Sequence, residues 1–228
     1  MHEGLTPHRS NHMKLRTILI ANVVVLAGMV AVAGRNAFPS FSQKKSAVPA
    51  LRDGDILFQT MGGGQSDAIA LATKCKWTHV GIAFLEAGQW TVFEAVGPVK
   101  KTPLDEWIDQ GDGHYIVKRL DANAATLDPA AINKLRDSAT PNLGKAYDWQ
   151  FLWSDDKIYC SELVWKMYEE ALDVRLCEPK ALKDWNLDSD LVQRTMKERY
   201  GSAMPMDEPM VAPATLFDCP MLITVVER

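Results

Sequence analysis

Cys160 is the side chain with the clearest chemical use in this sequence, because it stands directly before a helix-like segment, residues 161–172 (SELVWKMYEEAL). A thiol at a helix N-terminus faces unpaired backbone N–H groups and the positive end of the helix dipole, which favour the thiolate. The same N–H groups can hold a developing oxyanion. Cys160 is therefore a candidate nucleophile, and the alternative is a buried structural cysteine, the commonest setting of a free cysteine.

His79 and Glu94 are candidate partners on two adjacent strand-like stretches. Glu94 lies among Phe, Val and Ala residues, where a buried carboxylate needs a partner. A turn of two or four residues within 86–89 would set Gly81 opposite Glu94. His79 would then face Val96 and lie on the same side of the sheet as Glu94. The backbones of these two diagonal neighbours would be about 7–8 Å apart. A three-residue turn would put the two side chains on opposite faces.

Together these residues predict a Cys–His–Glu triad, in which Cys160 attacks, His79 relays the proton and Glu94 orients the imidazole. A histidine at a strand end is more often a surface or hydrogen-bonded residue, so the argument depends on the combination. Three of the five histidines stand in the N-terminal extension, namely His2, His8 and His12. Of the other two, His114 follows a glycine-rich stretch, which leaves His79 as the better base.

The elements that must position these residues form a mixed pattern. Strands are predicted at residues 55–60, 80–85, 90–96, 115–120 and 222–226. Helices are predicted at residues 67–74, 129–139 and 161–172, with Ser66 as the N-cap of the first. Strands cluster in the first half and helices flank them, which favours an α+β fold over a regular parallel α/β fold. Residues 176–210 contain no motif that assigns them a role.

The N-terminus carries an apolar run at residues 17–34, preceded by Lys14 and Arg16 and ending in small residues. This is the plan of a secretory signal peptide, and the run is also about long enough to span a bilayer as a membrane anchor. Either reading predicts an extracytoplasmic protein, periplasmic or anchored facing outward in a bacterial cell envelope. A buried core helix is the alternative, disfavoured because the segment is terminal and has no polar face.

The chain therefore divides into an N-terminal extension at residues 1–40, a linker at 41–50 and a catalytic domain at 51–228. The net charge of −4 is mild and argues against a nucleic-acid partner. The sequence has four cysteines, Cys75, Cys160, Cys177 and Cys219, and no two of them form a C-x-x-C pair. Their disulfide state is left open. Cys75 and His79 could offer zinc two ligands, but no third is evident nearby, so neither a metal nor another cofactor is predicted.

Four stretches in this order resemble the permuted papain-like amidases, specifically the YiiX-like branch of the permuted NlpC-type families. They are GDILFQ, WTHVGIAF, TVFEAVGPVKKTPLDEW and GKAYDWQFLWSDDKIYCSELVW. The resemblance covers residues 51–172 and extends more weakly to the tail motif VAPATLFDCPML. It implies a circularly permuted papain-like α+β fold, with an antiparallel sheet packed against helices and the nucleophile at a helix N-terminus. The permutation places the histidine before the cysteine, as in this chain.

The family motifs map onto His79 in THVG, Glu94 in FEA and Cys160 in YCSEL. Tyr159, directly before the cysteine, is a candidate substrate-cleft or oxyanion residue, and the alternative is a packed aromatic side chain. Asp55 in GDI also matches the family pattern and is expected to be a structural hydrogen-bonding residue.

The expected activity is hydrolysis of an amide bond through an acyl-thioester on Cys160. Extracytoplasmic location and the resemblance favour small cell-wall peptides as substrates. One alternative is an N-acyl amidase or acyltransferase that acts on lipid-like acyl groups. Another is a binding module that keeps the fold without turnover. The membrane would be a partner only through an uncleaved N-terminal segment.

Overall fold

The computed structural model describes residues 51–228. The N-terminal extension at 1–40, with its apolar run at 17–34, and the linker at 41–50 lie outside the described residues, so these assignments stay predictions. Within residues 51–228, no helix combines the length and the apolar character needed to cross a membrane.

The main sheet has six strands, and every neighbouring pair is antiparallel. In chain order its members are β1 (Ile56–Met61), β2 (His79–Glu86), β3 (Gln89–Ala95), β4 (Val99–Pro103), β5 (Gly111–Leu120) and β8 (Leu222–Glu227). Their order across the sheet is β4-β3-β2-β1-β5-β8. Two short strands, β6 (Lys180–Ala181) and β7 (Pro209–Met210), pair separately. The antiparallel α+β architecture expected from the sequence is confirmed.

Within residues 51–228, six α-helices accompany the sheet: α1 (Gly64–Thr73), α2 (Leu104–Gln110), α3 (Pro129–Ala139), α4 (Cys160–Leu172), α5 (Asp190–Tyr200) and α6 (Pro213–Phe217). Alternating strand residues face opposite sides of the sheet. Phe58 and Ile82 belong to a core shared with α3, α4 and α6, whereas Leu57 and Ala83 pack on the other side with Trp107 of α2. Helices therefore cover both faces of the sheet.

One predicted helix start is wrong. Helix α1 begins at Gly64, with Gly63 as its N-cap, whereas Ser66 is buried inside the first turn and caps nothing. Gly63 has φ 101°, a backbone conformation that glycine adopts without steric cost. The run of three glycines therefore provides the turn itself, and the helix starts two residues before the serine.

The region without a recognised motif, residues 176–210, contributes α5 and the strand β6. Helix α5 packs against α1. Side chains of both helices and their neighbours form a third apolar cluster, whose buried members are Ala68, Leu182, Val192, Met196 and Met210. This region builds one wall of the cleft described below.

Candidate active site

The first residue of α4 is Cys160, and local hydrogen bonds hold the helix start in place. The N-cap, Tyr159, has extended backbone geometry, and Glu162 Oε2 accepts its backbone N–H at 3.4 Å. Ser161 Oγ donates to the carbonyl oxygen of Val211 at 2.7 Å. The thiol-bearing end of the helix is thus fastened to the chain segment before α6. The predicted location of Cys160 at a helix N-terminus is confirmed, and its residue is buried.

The β2–β3 hairpin has the register that brings His79 and Glu94 together. Ala87 and Gly88 form a two-residue turn with φ values of 47° and 83°, and Glu86 pairs with Gln89. Primed turns of this kind match the twist of the flanking strands. His79 Nε2 consequently lies 2.6 Å from Glu94 Oε2, as the shorter of the two permitted turns predicts.

Gly81 is required by the close approach of the two strands. A Cβ at this position would lie 2.4 Å from Cγ1 of Val92 and 2.9 Å from the carbonyl oxygen of Phe93. Any larger residue would push the hairpin apart at the point where His79 and Glu94 meet. Steric crowding between the two strands therefore explains why the THVG motif has a glycine at this position.

Glu94 is fully buried, and its two oxygens have different partners. Oε2 faces His79, whereas Oε1 accepts a 2.5 Å hydrogen bond from the Thr102 hydroxyl and lies 3.7 Å from Lys100 Nζ. Gln110 Nε2 also reaches Oε1, at 3.4 Å. Burial alone would raise the pKa of Glu94, but the hydrogen bond and charge of His79, helped by Thr102, hold that pKa below its usual value. The side chain is an oriented carboxylate.

His79 is buried between Glu94 and the Cys160 thiol. Burial by itself would lower the pKa of the imidazole. The hydrogen bonds with Cys160 and Glu94, and the negative charges on both, outweigh burial and raise the pKa to about 9. Because Nε2 is committed to Glu94, Nδ1 is left for the thiol. The arrangement can hold a proton beside the sulfur and deliver it.

Tyr147 is a site residue that the sequence analysis did not single out. Its hydroxyl contacts the Cys160 thiol and accepts a 3.4 Å hydrogen bond from Gln65 Nε2 of α1. Burial, followed by the negative charge of Cys160, raises the pKa of Tyr147 well above its usual value, so the phenol stays protonated. An isolated β-bridge between Tyr147 and Ile158 ties it to the chain just before α4. Its position in the motif GKAYDWQF was the available signal.

Tyr159 packs as an aromatic side chain. Its ring lies edge-on to Phe151 with centroids 5.0 Å apart, and its hydroxyl accepts the Val211 N–H at 3.1 Å. The ring also lines the cleft beside Cys160. A contact with substrate stays a prediction. Asp55 has the structural role expected of it. Its carboxylate accepts hydrogen bonds from Nε and Nη2 of Arg119 at 2.6 and 2.7 Å.

A narrow cleft with a cavity volume of about 100 Å³ opens beside Cys160, between α1 and α5. Its lining is mostly apolar and includes Ala68, Ile69, Ala72, Leu187, Val192, Met196 and Met210. A chain of hydrogen bonds connects three polar side chains of the cleft to the thiol. It runs from Arg199 through Gln65 to Tyr147, whose hydroxyl contacts Cys160. The cleft can therefore hold an apolar group next to the Cys160 thiol.

No other predicted residue joins this site. The structure shows the cysteines as free thiols, and burial raises the pKa of Cys75, Cys177 and Cys219, that of Cys177 to about 12. Across residues 51–228, no three His, Cys, Asp or Glu side chains converge as metal ligands. The pair of Cys75 and His79 therefore lacks a third ligand in the described part of the chain.

The family model for permuted papain-like amidase enzymes, the YaeF/YiiX or C92 family, matches residues 50–226. The chain belongs to this family of permuted papain-like amidases. The match confirms the resemblance carried by the motifs and the circularly permuted fold. It also supports a cysteine hydrolase-type function for the chain.

The similar proteins include two YiiX chains of Escherichia coli. The protein YiiX of Escherichia coli (strain K12), described as uncharacterized, is 46% identical over 176 residues, which cover 77% of this chain and 86% of YiiX. A crystal structure of YiiX from Escherichia coli O157:H7 superimposes with a TM-score of 0.75 and 45% identity, covering 78% of this chain and 97% of the other. That structure is described as a metalloprotein. The donor set of the described residues here does not fit a metal site.

Proposed function

We propose that this protein cleaves an amide bond through an acyl-thioester on Cys160, with His79 as proton carrier and Glu94 as the group that orients it. The observation that carries the proposal is the buried line of contacts from Glu94 through His79 to the thiol at the start of α4. These contacts end at an open cleft, so a substrate carbonyl can reach the sulfur.

In the first half-reaction the thiolate of Cys160 attacks the carbonyl carbon, and the carbonyl electron pair moves to oxygen. In this proposal the backbone N–H at the start of α4 and the hydroxyl of Tyr147, which contacts the thiol, donate to that oxyanion. As the carbonyl re-forms, the C–N bond breaks and the imidazolium of His79 gives its proton to the departing nitrogen. The amine leaves, and the acyl group stays on sulfur.

In the second half-reaction His79, now neutral, takes a proton from water as the water oxygen attacks the thioester carbon. Collapse of this intermediate breaks the C–S bond, releases a carboxylic acid and restores the thiolate beside the imidazolium. Glu94 keeps its negative charge throughout and stabilises the charged ring in both steps. An amine in place of water would give acyl transfer from the same intermediate.

The substrate that the cleft supports best is an amide of an apolar acyl group. The walls beside the thiol are built from alanine, leucine, methionine and valine side chains, which suit a hydrocarbon chain. A polar cell-wall peptide would leave its hydrogen-bonding groups unpaired against these walls. Among the alternatives left open by the sequence, the N-acyl amidase is therefore preferred to a cell-wall peptidase.

The first test is limited alkylation with iodoacetamide at pH 6 and pH 8, followed by mass spectrometry. We expect Cys160 to be labelled rapidly at pH 6, because its partner His79 stays protonated up to about pH 9. The other three cysteines serve as internal controls, since burial raises the pKa of each. His79→Ala should slow the labelling of Cys160. Labelling of all four cysteines at one rate would contradict the proposal and favour a silent binding module.

The second test follows turnover of N-acyl amides of increasing chain length by mass spectrometry. We expect hydrolysis that increases with chain length and that Cys160→Ala abolishes while the fold is kept. Addition of a primary amine to the assay distinguishes transfer from hydrolysis by the product. An alkylation-reactive Cys160 without release of any acid from these amides would reject the proposed substrate class.

A further inference from the structure

Apart from the thiol of Cys160, the described residues that line the cleft include a single charged side chain. Arg199, in the last turn of α5, lines the cleft together with the nucleophile, and no Asp or Glu of the described lining accompanies it. Arg199 is half-buried. An apolar cavity whose lining holds one cation and no anion besides the thiolate of Cys160 is electrostatically matched, at the cation, to a ligand with a negative charge.

The guanidinium is held in place by neutral groups. It donates a 3.0 Å hydrogen bond to Gln65 Oε1, and its carbon lies 4.4 Å from the ring centre of Phe151 and 6.0 Å from that of Tyr200. Within residues 51–228 no carboxylate forms an ion pair with it. A guanidinium that is partly withdrawn from water and has no carboxylate partner among the described residues is available to pair with an anion that arrives with the substrate.

Arg199 is also connected to the nucleophile. Gln65 accepts from Arg199 through Oε1 and donates through Nε2 to the hydroxyl of Tyr147, which contacts the Cys160 thiol. Arg199 and Cys160 also line the same cleft, so one molecule can reach the guanidinium with one group and the sulfur with its carbonyl. The planar fork of arginine matches the two oxygens of a carboxylate or phosphate.

We propose that Arg199 binds an anionic group of the substrate, so that the substrates are amides that combine an apolar acyl chain with a carboxylate or phosphate. This inference rests on the proposed amide hydrolysis and specifies its substrate class. The carboxylate of an N-acyl amino acid and the phosphate of an acylated phosphoethanolamine headgroup present the same chemistry to the guanidinium. Neutral acyl amides of equal length lack it.

The experiment measures binding to the Cys160→Ala protein by calorimetry, which keeps it independent of turnover. The carboxylate pair is N-decanoylglycine and N-decanoylglycinamide, and the phosphate pair is N-decanoyl-O-phosphoethanolamine and N-decanoylethanolamine. We expect the charged member of at least one pair to bind about tenfold more tightly, the preference typical of one charge-assisted contact. The pair with the larger preference identifies the anion, and added salt should reduce that preference.

Arg199→Met should abolish this preference while retaining the length and apolar character of the side chain, and Arg199→Lys should retain part of it. Arg194→Met is the matched control, because Arg194 is exposed on the same helix, and it should leave the preference unchanged. A full preference in Arg199→Met, or an equal loss in Arg194→Met, would overturn the inference.

Turnover by the otherwise unaltered protein separates the two proposals. If neither amide of either pair is hydrolysed while the Arg199-dependent binding preference holds, amide hydrolysis is rejected and the anion site stands. If charged and neutral amides are hydrolysed with the same kcat/KM, and Arg199→Met changes neither value, the anion site is rejected and amide hydrolysis stands.

Discussion

One carboxylate oxygen of Glu94 faces His79, because the other accepts a hydrogen bond from Thr102. The Thr102 hydroxyl is buried and donates to Oε1 at 2.5 Å, which leaves Oε2 directed at Nε2 of the imidazole. A carboxylate held at both ends keeps the ring in one orientation and keeps the imidazolium charged. Thr102 touches neither thiol nor substrate in this arrangement, so we regard it as a positioning residue.

We expect Thr102→Val, which removes the hydroxyl at nearly constant volume, to lower the pKa of His79 from about 9. His79 has a raised pKa in the folded state, so the stabilisation from its charged form is complete below about pH 6.5 and is lost as the pH rises through about 9. In the variant this loss, and the alkaline limb of the pH–rate profile, should move to lower pH, with kcat reduced by about tenfold.

The measurement is an NMR titration of the His79 ring together with the pH–rate profile. Thr102→Ser restores the donor and should return both values towards those of the unsubstituted protein. Thr102→Val with an unchanged His79 pKa and an unchanged alkaline limb would show that Thr102 only packs.

Among the elements, α4 combines a functional N-terminus with a buried carboxyl group in its first turn. Glu162 is fully buried, accepts the N–H of Tyr159 and lies 2.8 Å from Lys166 Nζ. Burial raises the pKa of Glu162 to about 7, although Lys166 and the Tyr159 N–H favour its charged form. Lys166 also pairs with the exposed Asp155 at 2.8 Å, which connects the helix to the loop before it.

Glu162→Gln should make the stability of the domain less dependent on pH. The folded state keeps the Glu162 proton up to about pH 7, whereas the unfolded chain releases it near 4.5, so the domain loses stability as the pH rises through this interval. A glutamine cannot ionise, and the variant should lose about 2–3 kcal/mol less between pH 4.5 and pH 8.

Denaturant unfolding at the two pH values measures this difference. Glu170→Gln, at an exposed position of the same helix, is the control and should follow the unsubstituted protein. The same pH dependence in Glu162→Gln and in the control would mean that Glu162 is ionised throughout.

For the whole molecule, the location of the catalytic domain depends on residues outside the described structure. Lys14 and Arg16 precede the apolar run at 17–34, and we propose that this segment directs residues 51–228 to the outer side of the cytoplasmic membrane. An apolar acyl amide released from the envelope would meet the cleft there.

We expect the full-length protein, produced in Escherichia coli, to fractionate with the periplasm or the membrane and to be digested by protease added to spheroplasts. A chain that lacks residues 1–40 should stay in the cytoplasm. N-terminal sequencing of the exported protein tells a cleaved signal from a retained anchor. Full-length protein that is protected from protease in intact spheroplasts would reject the extracytoplasmic location.

Local patterns in the sequence predicted the hairpin strands and the helix that carry the proposed triad, and the structure decided the length of the turn. Strand alternation and the turn at Ala87 and Gly88 define the register that joins His79 to Glu94, because one-residue slips would expose the apolar face. The start of α4 at Cys160 follows from its own amphipathic sequence. The predicted N-cap of α1 was wrong because serine is a common N-cap residue. In the structure the glycine turn provides the N-cap at Gly63, so the helix begins before the serine.

The residues around the thiol that only the tertiary structure revealed come from distant parts of the chain. Gln65 lies on α1, Tyr147 in a loop and Arg199 on α5, and the packing of α5 against α1 brings them to one cleft. No periodicity or turn rule reports such contacts, because they depend on how separate elements pack across more than a hundred residues. The sequence by itself thus determined the family and the fold class, and it predicted the three residues of the proposed triad. The cleft and its single cation were decided by tertiary packing.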